Sequence, residues 1–173
     1  MLNELAERHG TDKGIACKTK LVPKRYTPIY SDLFLTHGKP QVLLEIGVAQ
    51  GASMRMWEEF LPNTKIVGID RNPVCRIHAS DRIYIEIGDQ SDRDFLSEVA
   101  QKHGPFGVII DDGGHRDDLH MASFESLWEH CIQWYAIEDL HVSPGSVPWL
   151  REIGASFPLS TLAVISRKPV QEP

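Results

Sequence analysis

Acidic side chains recur at one kind of place in this sequence, immediately after short apolar runs. Glu45 and Asp70 follow VLL and VGI, Asp89 follows IEIG, Asp111 and Asp112 follow VII, and Glu138 and Asp139 follow YAI. Carboxylates that converge on one rim repel each other unless protons or a cation sit among them. An all-carboxylate set suits a hard, oxygen-seeking ion such as Mg²⁺. His115 follows Asp112 by three residues across Gly113-Gly114, and an imidazole there can take a proton near neutral pH. Taken alone, DDGGH is a tight turn with a capping acid and a surface histidine. With an acid pair at the end of the next apolar run, it reads as a metal and base site.

The first acid opens a different motif, Glu45-Ile46-Gly47-Val48-Ala49-Gln50-Gly51-Ala52-Ser53. Gly47 and Gly51 permit a sharp turn and a close approach to a ligand. Their GxxxG spacing departs from the GxGxxG that sets helix N–H groups on a pyrophosphate. Asp70, some 20 residues on, is placed to accept both hydroxyls of a ribose, and Asp89 and Gln90 to reach an adenine edge. The turn and the two acids in sequence favour a nucleoside cofactor without a pyrophosphate.

These groups need a scaffold that brings strand ends together. Apolar runs of strand length recur at Gln41–Ile46, Lys65–Ile69, Arg82–Ile87, Phe106–Ile110, Trp134–Ile137 and Leu162–Ile165. Helical patterns lie between most of them, at Ala52–Phe60, Ser91–Lys102 and Leu119–Cys131, with Leu2–His9 and Tyr26–Leu35 ahead of the first strand. Alternating strands and helices predict an α/β fold with a doubly wound, mostly parallel sheet. In such sheets ligands bind beyond the carboxyl ends of the strands. The expected organisation is one domain over 1–173, with a helical lead-in over 1–38 and the α/β core over 39–173. Adjacent strand residues face opposite sides, so Glu138 and Asp139 reach one ion only if the chain turns between them.

Four motifs, LLEIGVAQGAS, VGIDRNP, GDQSD and VIIDDGGH, appear in an order that resembles the class I S-adenosylmethionine-dependent methyltransferases. The likeness is greater to the metal-dependent sugar O-methyltransferases of macrolide biosynthesis, the mycinamicin type, and to related rhamnosyl enzymes. ELAERHGTDKG and RYTPIYSDLF resemble the lead-in of that family, so the likeness runs from near residue 2 to about residue 140. It implies S-adenosyl-L-methionine and Mg²⁺ as cofactors, a Rossmann-like fold, and a hydroxyl acceptor on a sugar or glycosylated metabolite of natural product biosynthesis. On this reading Glu45, Gly47, Gly51, Ser53, Asp70, Asp89, Gln90 and Asp111 form the cofactor set, Asp111 by supporting its loop. Asp112, Glu138 and Asp139 hold the metal and His115 is the base. Asp12, Lys13 and Tyr26 match the lead-in motif, where closing over the cofactor and packing of the loop are both open.

Two departures stand out. The family's Gly-Gly turn before the fifth strand is replaced by Cys131-Ile132-Gln133, and the shortened C-terminus offers one recognisable strand where two are expected. With six strands the acceptor site is open, completed by a second copy in a homo-oligomer, or degraded. A non-catalytic cofactor-binding module is therefore the alternative function. A nicotinamide oxidoreductase lacks its GxGxxG, and a metal-dependent hydrolase leaves the glycine turn unexplained.

Composition bounds the partners. A net charge of −6 argues against nucleic acid, and Lys18, Lys20, Lys24 and Arg25 read as a solvated loop. No run approaches the ~20 apolar residues of a membrane span. Cys17, Cys75 and Cys131 form no CxxC pair, so reduced thiols and a cytoplasmic location are expected.

Overall fold

The computed structural model describes residues 1–16 and 24–167; Cys17, Lys18 and Lys20 lie outside the described residues. Seven strands form one sheet: β1 Val42–Ile46, β2 Lys65–Asp70, β3 Ile83–Ile87, β4 Phe106–Asp111, β5 Cys131–Ile137, β6 Ser156–Leu159 and β7 Leu162–Ser166. Their order is β3-β2-β1-β4-β5-β7-β6. The first five run parallel, and β7 enters antiparallel between β5 and β6. The expected missing strand is therefore present. It escaped the sequence because Ser-Phe-Pro-Leu is four residues long, contains a proline and alternates only partial burial on an edge.

Six α-helices flank the sheet: α1 Leu2–His9, α2 Thr27–His37, α3 Ala52–Phe60, α4 Arg93–His103, α5 Asp117–Leu127 and α6 Ser146–Glu152. Strand periodicity decides which layer each covers. Leu43, Ile66, Val108 and Trp134 face α1, α2 and α3, where Tyr30 stacks on Trp134 and meets Trp57 edge-on. Their neighbours Leu44, Val67, Ile109 and Tyr135 face the other layer with Leu96, Phe124 and Leu150. The Trp and Met stripes are core in both layers.

Local boundaries follow local chemistry. Asp92, not Ser91, caps α4, accepting from the N–H groups of Asp94 and Phe95, so that helix starts two residues later than its pattern suggested. The apolar stripe through Trp128 and Cys131 joins two elements. α5 ends at Leu127, a 3₁₀ turn spans Trp128–His130, and Cys131 already begins β5. A second 3₁₀ turn, Pro73–His78, was missed because it is too short to show a period. No helix among the described residues is long and apolar enough to cross a membrane.

Candidate active site at the carboxyl edge of the sheet

The parallel ladders do not stop at the strand ends. Gly47 N–H donates to Ile69 O (2.8 Å), Asp112 N–H to Ile46 O (3.0 Å) and Glu138 N–H to Asp111 O (2.9 Å). These bonds carry the register into the loops and fix the acid-bearing residues on one rim. A cleft of about 650 Å³ opens there, the size of a small-molecule site. Gly47, Asp70, Asp89, Gln90, Asp112, His115 and Asp139 line it, joined by Asp12, Lys24, Arg71 and Arg116.

The backbone beside this cleft is unusual. Ala49, His115 and Asp139 all have positive φ, at 47°, 47° and 57°. Such conformations cost about 1–3 kcal/mol each for residues with a Cβ and cluster where function over-determines them. At Asp139 the positive φ supplies the turn after β5 that the acid pair required.

The glycine turn acts differently from its sequence reading. A Cβ on Gly47, whose φ is +95°, would lie 2.2 Å from Asp112 O, and one on Gly51, φ +69°, would lie 2.5 Å from His78 Cγ. Both glycines let protein pack on protein: the β1 loop against the β4 loop, and α3 against the 3₁₀ turn. Only Gly47 reaches the cleft wall. The ligand-facing part of the turn is its exposed backbone at Ala49, which also lines the cleft.

Asp70 organises that backbone. Its Oδ2 accepts from the N–H groups of Val48 and Ala49 (3.0 Å each) and its Oδ1 from Asn72 N–H (2.8 Å). Burial works against the charge, but these three donors outweigh it and hold the carboxyl below its ordinary range. The lone pairs not so engaged remain for ligand hydroxyls. A depressed folded pKa means stability that is present above the unfolded value of about 3.9 and lost as pH falls through the folded one. The melting temperature of wild type is therefore expected to exceed that of Asp70→Asn at neutral pH. Thermal scans on acidification should show that gap closing below the ordinary aspartate range; a gap independent of pH would remove this role. Asp89, exposed at the rim, is also held below its ordinary pKa, first by Ser91 N–H.

Four residues of the expected cofactor set are used internally. Glu45 is fully buried on the α3 side, where Trp57 Nε1–H donates to it, and Ser53 is buried on the same side at the start of α3. Burial raises the Glu45 pKa against the pull of Lys13. Asp111 is fully buried on the opposite face, accepting from Ser123 Oγ–H and Gln90 Nε2–H, which fits its supporting role. Gln90 borders the cleft, yet its amide is spent on Asp111 and, through Oε1, on Gly114 N–H (2.6 Å). It braces the β4 loop and does not extend toward an adenine. The cause in each case is the period-2 alternation, which sends neighbouring residues to opposite faces.

The metal set is also redrawn. Ligand atoms of Asp112, His115 and Asp139 lie within 4.8 Å of one another. His115 Nε2 stands 3.9 Å from Asp112 Oδ1 and 3.7 Å from Asp139 Oδ2, beyond hydrogen-bonding range. Glu138 stands apart from that cluster. Its Oε2 accepts from Lys13 Nζ (2.8 Å) and its Oε1 from Tyr30 O–H (2.5 Å). Burial first, then the charge of Asp112, raises its pKa well above the ordinary value. Two carboxylates and an imidazole within this span are a donor set that fits a divalent cation.

The lead-in reaches the rim with four side chains. Lys13, 1% exposed, bridges Asp112 Oδ2 (2.6 Å), Glu138 Oε2 (2.8 Å) and Glu45 Oε1 (3.3 Å). Burial opposes its charge, but the three carboxylates outweigh that and raise its pKa well above the usual lysine value. Tyr26 O–H donates to Asp139 Oδ1 (2.9 Å), Tyr30 holds Glu138, and Lys24 Nζ donates to Asp139 Oδ2. The sequence marked Lys13 and Tyr26 by motif alone; Tyr30 read as core and Lys24 as solvated loop. Nothing in a lysine-rich stretch separates the one that turns inward. Among the remaining histidines, His120 is buried with Nδ1 beside Ser143 and Ser146, and His141 is exposed.

No family model matches the chain. It is 35% identical over 150 residues to the 8-demethyl-8-(2-methoxy-alpha-L-rhamnosyl)-tetracenomycin-C 3'-O-methyltransferase of Streptomyces olivaceus, covering 80% of this chain and 36% of that one. It is 37% identical over 126 residues to the mycinamicin VI 2''-O-methyltransferase of Micromonospora griseorubida, covering 66% and 31%. The chain thus spans about a third of the length of these curated relatives. The solved structure of the MycE methyltransferase of the mycinamycin pathway, in complex with Mg and SAH, superposes with a TM-score of 0.83 at 27% identity. That match covers 99% of this chain and 55% of MycE.

Proposed function

We propose that this chain, which has the class I methyltransferase fold and is similar in sequence to sugar O-methyltransferases, transfers a methyl group from S-adenosylmethionine to a sugar hydroxyl of a glycosylated natural product. The observation that carries this reading is one continuous cleft with Asp70 at one end and the Asp112–His115–Asp139 cluster at the other. The first end is chemistry for a ribose; the second is chemistry for an alcohol that must lose a proton. The relatives' names, which place a methyl on a rhamnosyl or mycinamicin hydroxyl, support the acceptor class.

The residues divide the work by position. The loop Gly47–Ala49 and the Asp70 carboxylate hold the nucleoside so that the sulfonium methyl points toward the β4 loop. Methyl transfer is an in-line displacement, and fixing both reactants at that distance and angle removes much of the entropic barrier. Asp112 and Asp139 would hold the divalent ion, which when bound lowers the pKa of the acceptor hydroxyl. His115 receives the hydroxyl proton at Nε2 as the oxygen attacks. Gln90 and Asp111, from behind, keep the Gly113-Gly114 hinge in place. The complete seven-stranded sheet speaks against a degraded site. Cys75 and Cys131, unpaired and buried, suit the reducing cytoplasm in which we place the enzyme.

Calorimetric titration with S-adenosylmethionine and S-adenosylhomocysteine, with and without Mg²⁺, tests the cofactor. Binding of both is expected, and binding of neither overturns the reading. Transfer of a labelled methyl to a rhamnosyl glycoside, lost in chelator, tests the reaction.

A further inference from the structure

Asp139 is fully engaged in this structure. Tyr26 O–H occupies Oδ1, and the Lys24 ammonium sits on Oδ2, the same oxygen that lies 3.7 Å from His115 Nε2 within the candidate metal cluster. Lys24 also lies 3.5 Å from Asp12 Oδ2 and lines the cleft. A cation on Asp112 and Asp139 would stand beside that ammonium. Two positive charges at such a separation repel strongly where solvent is partly excluded. The two lysines of the lead-in differ here. Lys13 is locked among three carboxylates and 1% exposed, whereas the Lys24 side chain is 17% exposed at the mouth, with room to leave.

We propose that Lys24 is a tethered counter-ion that competes with the divalent metal for Asp139, so that binding of the metal releases the ammonium from Oδ2. This rests on the metal site of the proposed function and adds a partner that weakens it. Its effect is to raise the metal concentration at which the site fills and to link filling to movement of the chain at Lys24. Arg25, next in sequence, has a φ of 62°, so the lysine is presented by a backbone already held away from its relaxed state.

Titration with Mn²⁺, followed by calorimetry or by the free-ion electron paramagnetic resonance signal, decides the matter on wild type, Lys24→Met, Lys24→Gln and Lys24→Arg. Both neutral variants are expected to bind Mn²⁺ about tenfold more tightly, as removal of one close like charge implies. Lys24→Arg should stay near wild type, and binding of S-adenosylhomocysteine should show that each variant is folded. Equal or weaker Mn²⁺ binding by the neutral variants overturns the competition while leaving the metal site intact. If S-adenosylhomocysteine binds but no variant takes Mn²⁺, the metal part of the proposed function fails, and this proposal with it.

Discussion

His115→Ala is expected to lower kcat for methyl transfer by about 10²–10⁴-fold, the usual contribution of a positioned general base, while S-adenosylhomocysteine still binds. The geometry separates this role from that of a ligand. Both carboxylate oxygens nearest His115 Nε2 are 3.7 Å or more away, so the nitrogen is not tied into an ion pair. A hard ion with Asp112 and Asp139 available takes oxygen first and leaves the imidazole free for the proton. The variant should therefore keep its metal affinity. Loss of activity with loss of metal binding would reassign His115 as a ligand, and a loss of less than tenfold would remove it from the mechanism. Asp112→Asn is expected to show the reverse pattern, weakened metal binding with the base still in place.

The scaffold was legible because it is periodic. Parallel strands buried on both faces read as apolar runs, so five of the seven were found to within three residues, and the acids after them fell on one edge by topology alone. What could not be read is which way each acid faces. The alternation rule split Asp111 from Asp112 correctly, yet it could not tell that Glu45 and Glu138 share one side with an incoming lysine. That lysine lies 32 residues before Glu45 and 125 before Glu138, in a segment with no strand or long helix to give it a pattern. Tyr30 shows the same limit. Helical spacing placed it in the core, where its ring is, but not its hydroxyl on Glu138. A side chain with an apolar body and a polar tip satisfies both readings, and only the partner distinguishes them.

That incoming lysine gives the largest expected change in stability. Lys13→Met keeps much of the side chain's length and apolar contact but removes the only ammonium hydrogen-bonded to Glu138 among the described residues. Buried ion pairs are weak evidence of net stabilisation, since desolvation offsets their attraction; removing one partner is another matter. It leaves uncompensated carboxylates and costs about 3–5 kcal/mol. For a chain of this length that corresponds to a fall of roughly 10 °C in Tm. The size of the effect must be separated from simple loss of packing, and the charge balance supplies the means. If the cost arises from unpaired acid, Lys13→Met/Glu138→Gln should recover a large part of it, because the amide needs no counter-ion and can still accept from Tyr30 O–H. If the cost arises from packing, the second substitution adds to the first. A Tm within about 2 °C of wild type for Lys13→Met alone, under 1 kcal/mol on the same scale, would show that solvent or a shifted proton already balances these acids. The coupled outcome would mean that the lead-in is held to the sheet by charge at the place where the reaction is proposed to occur, so that folding of the N-terminal segment and construction of the acid rim are one event.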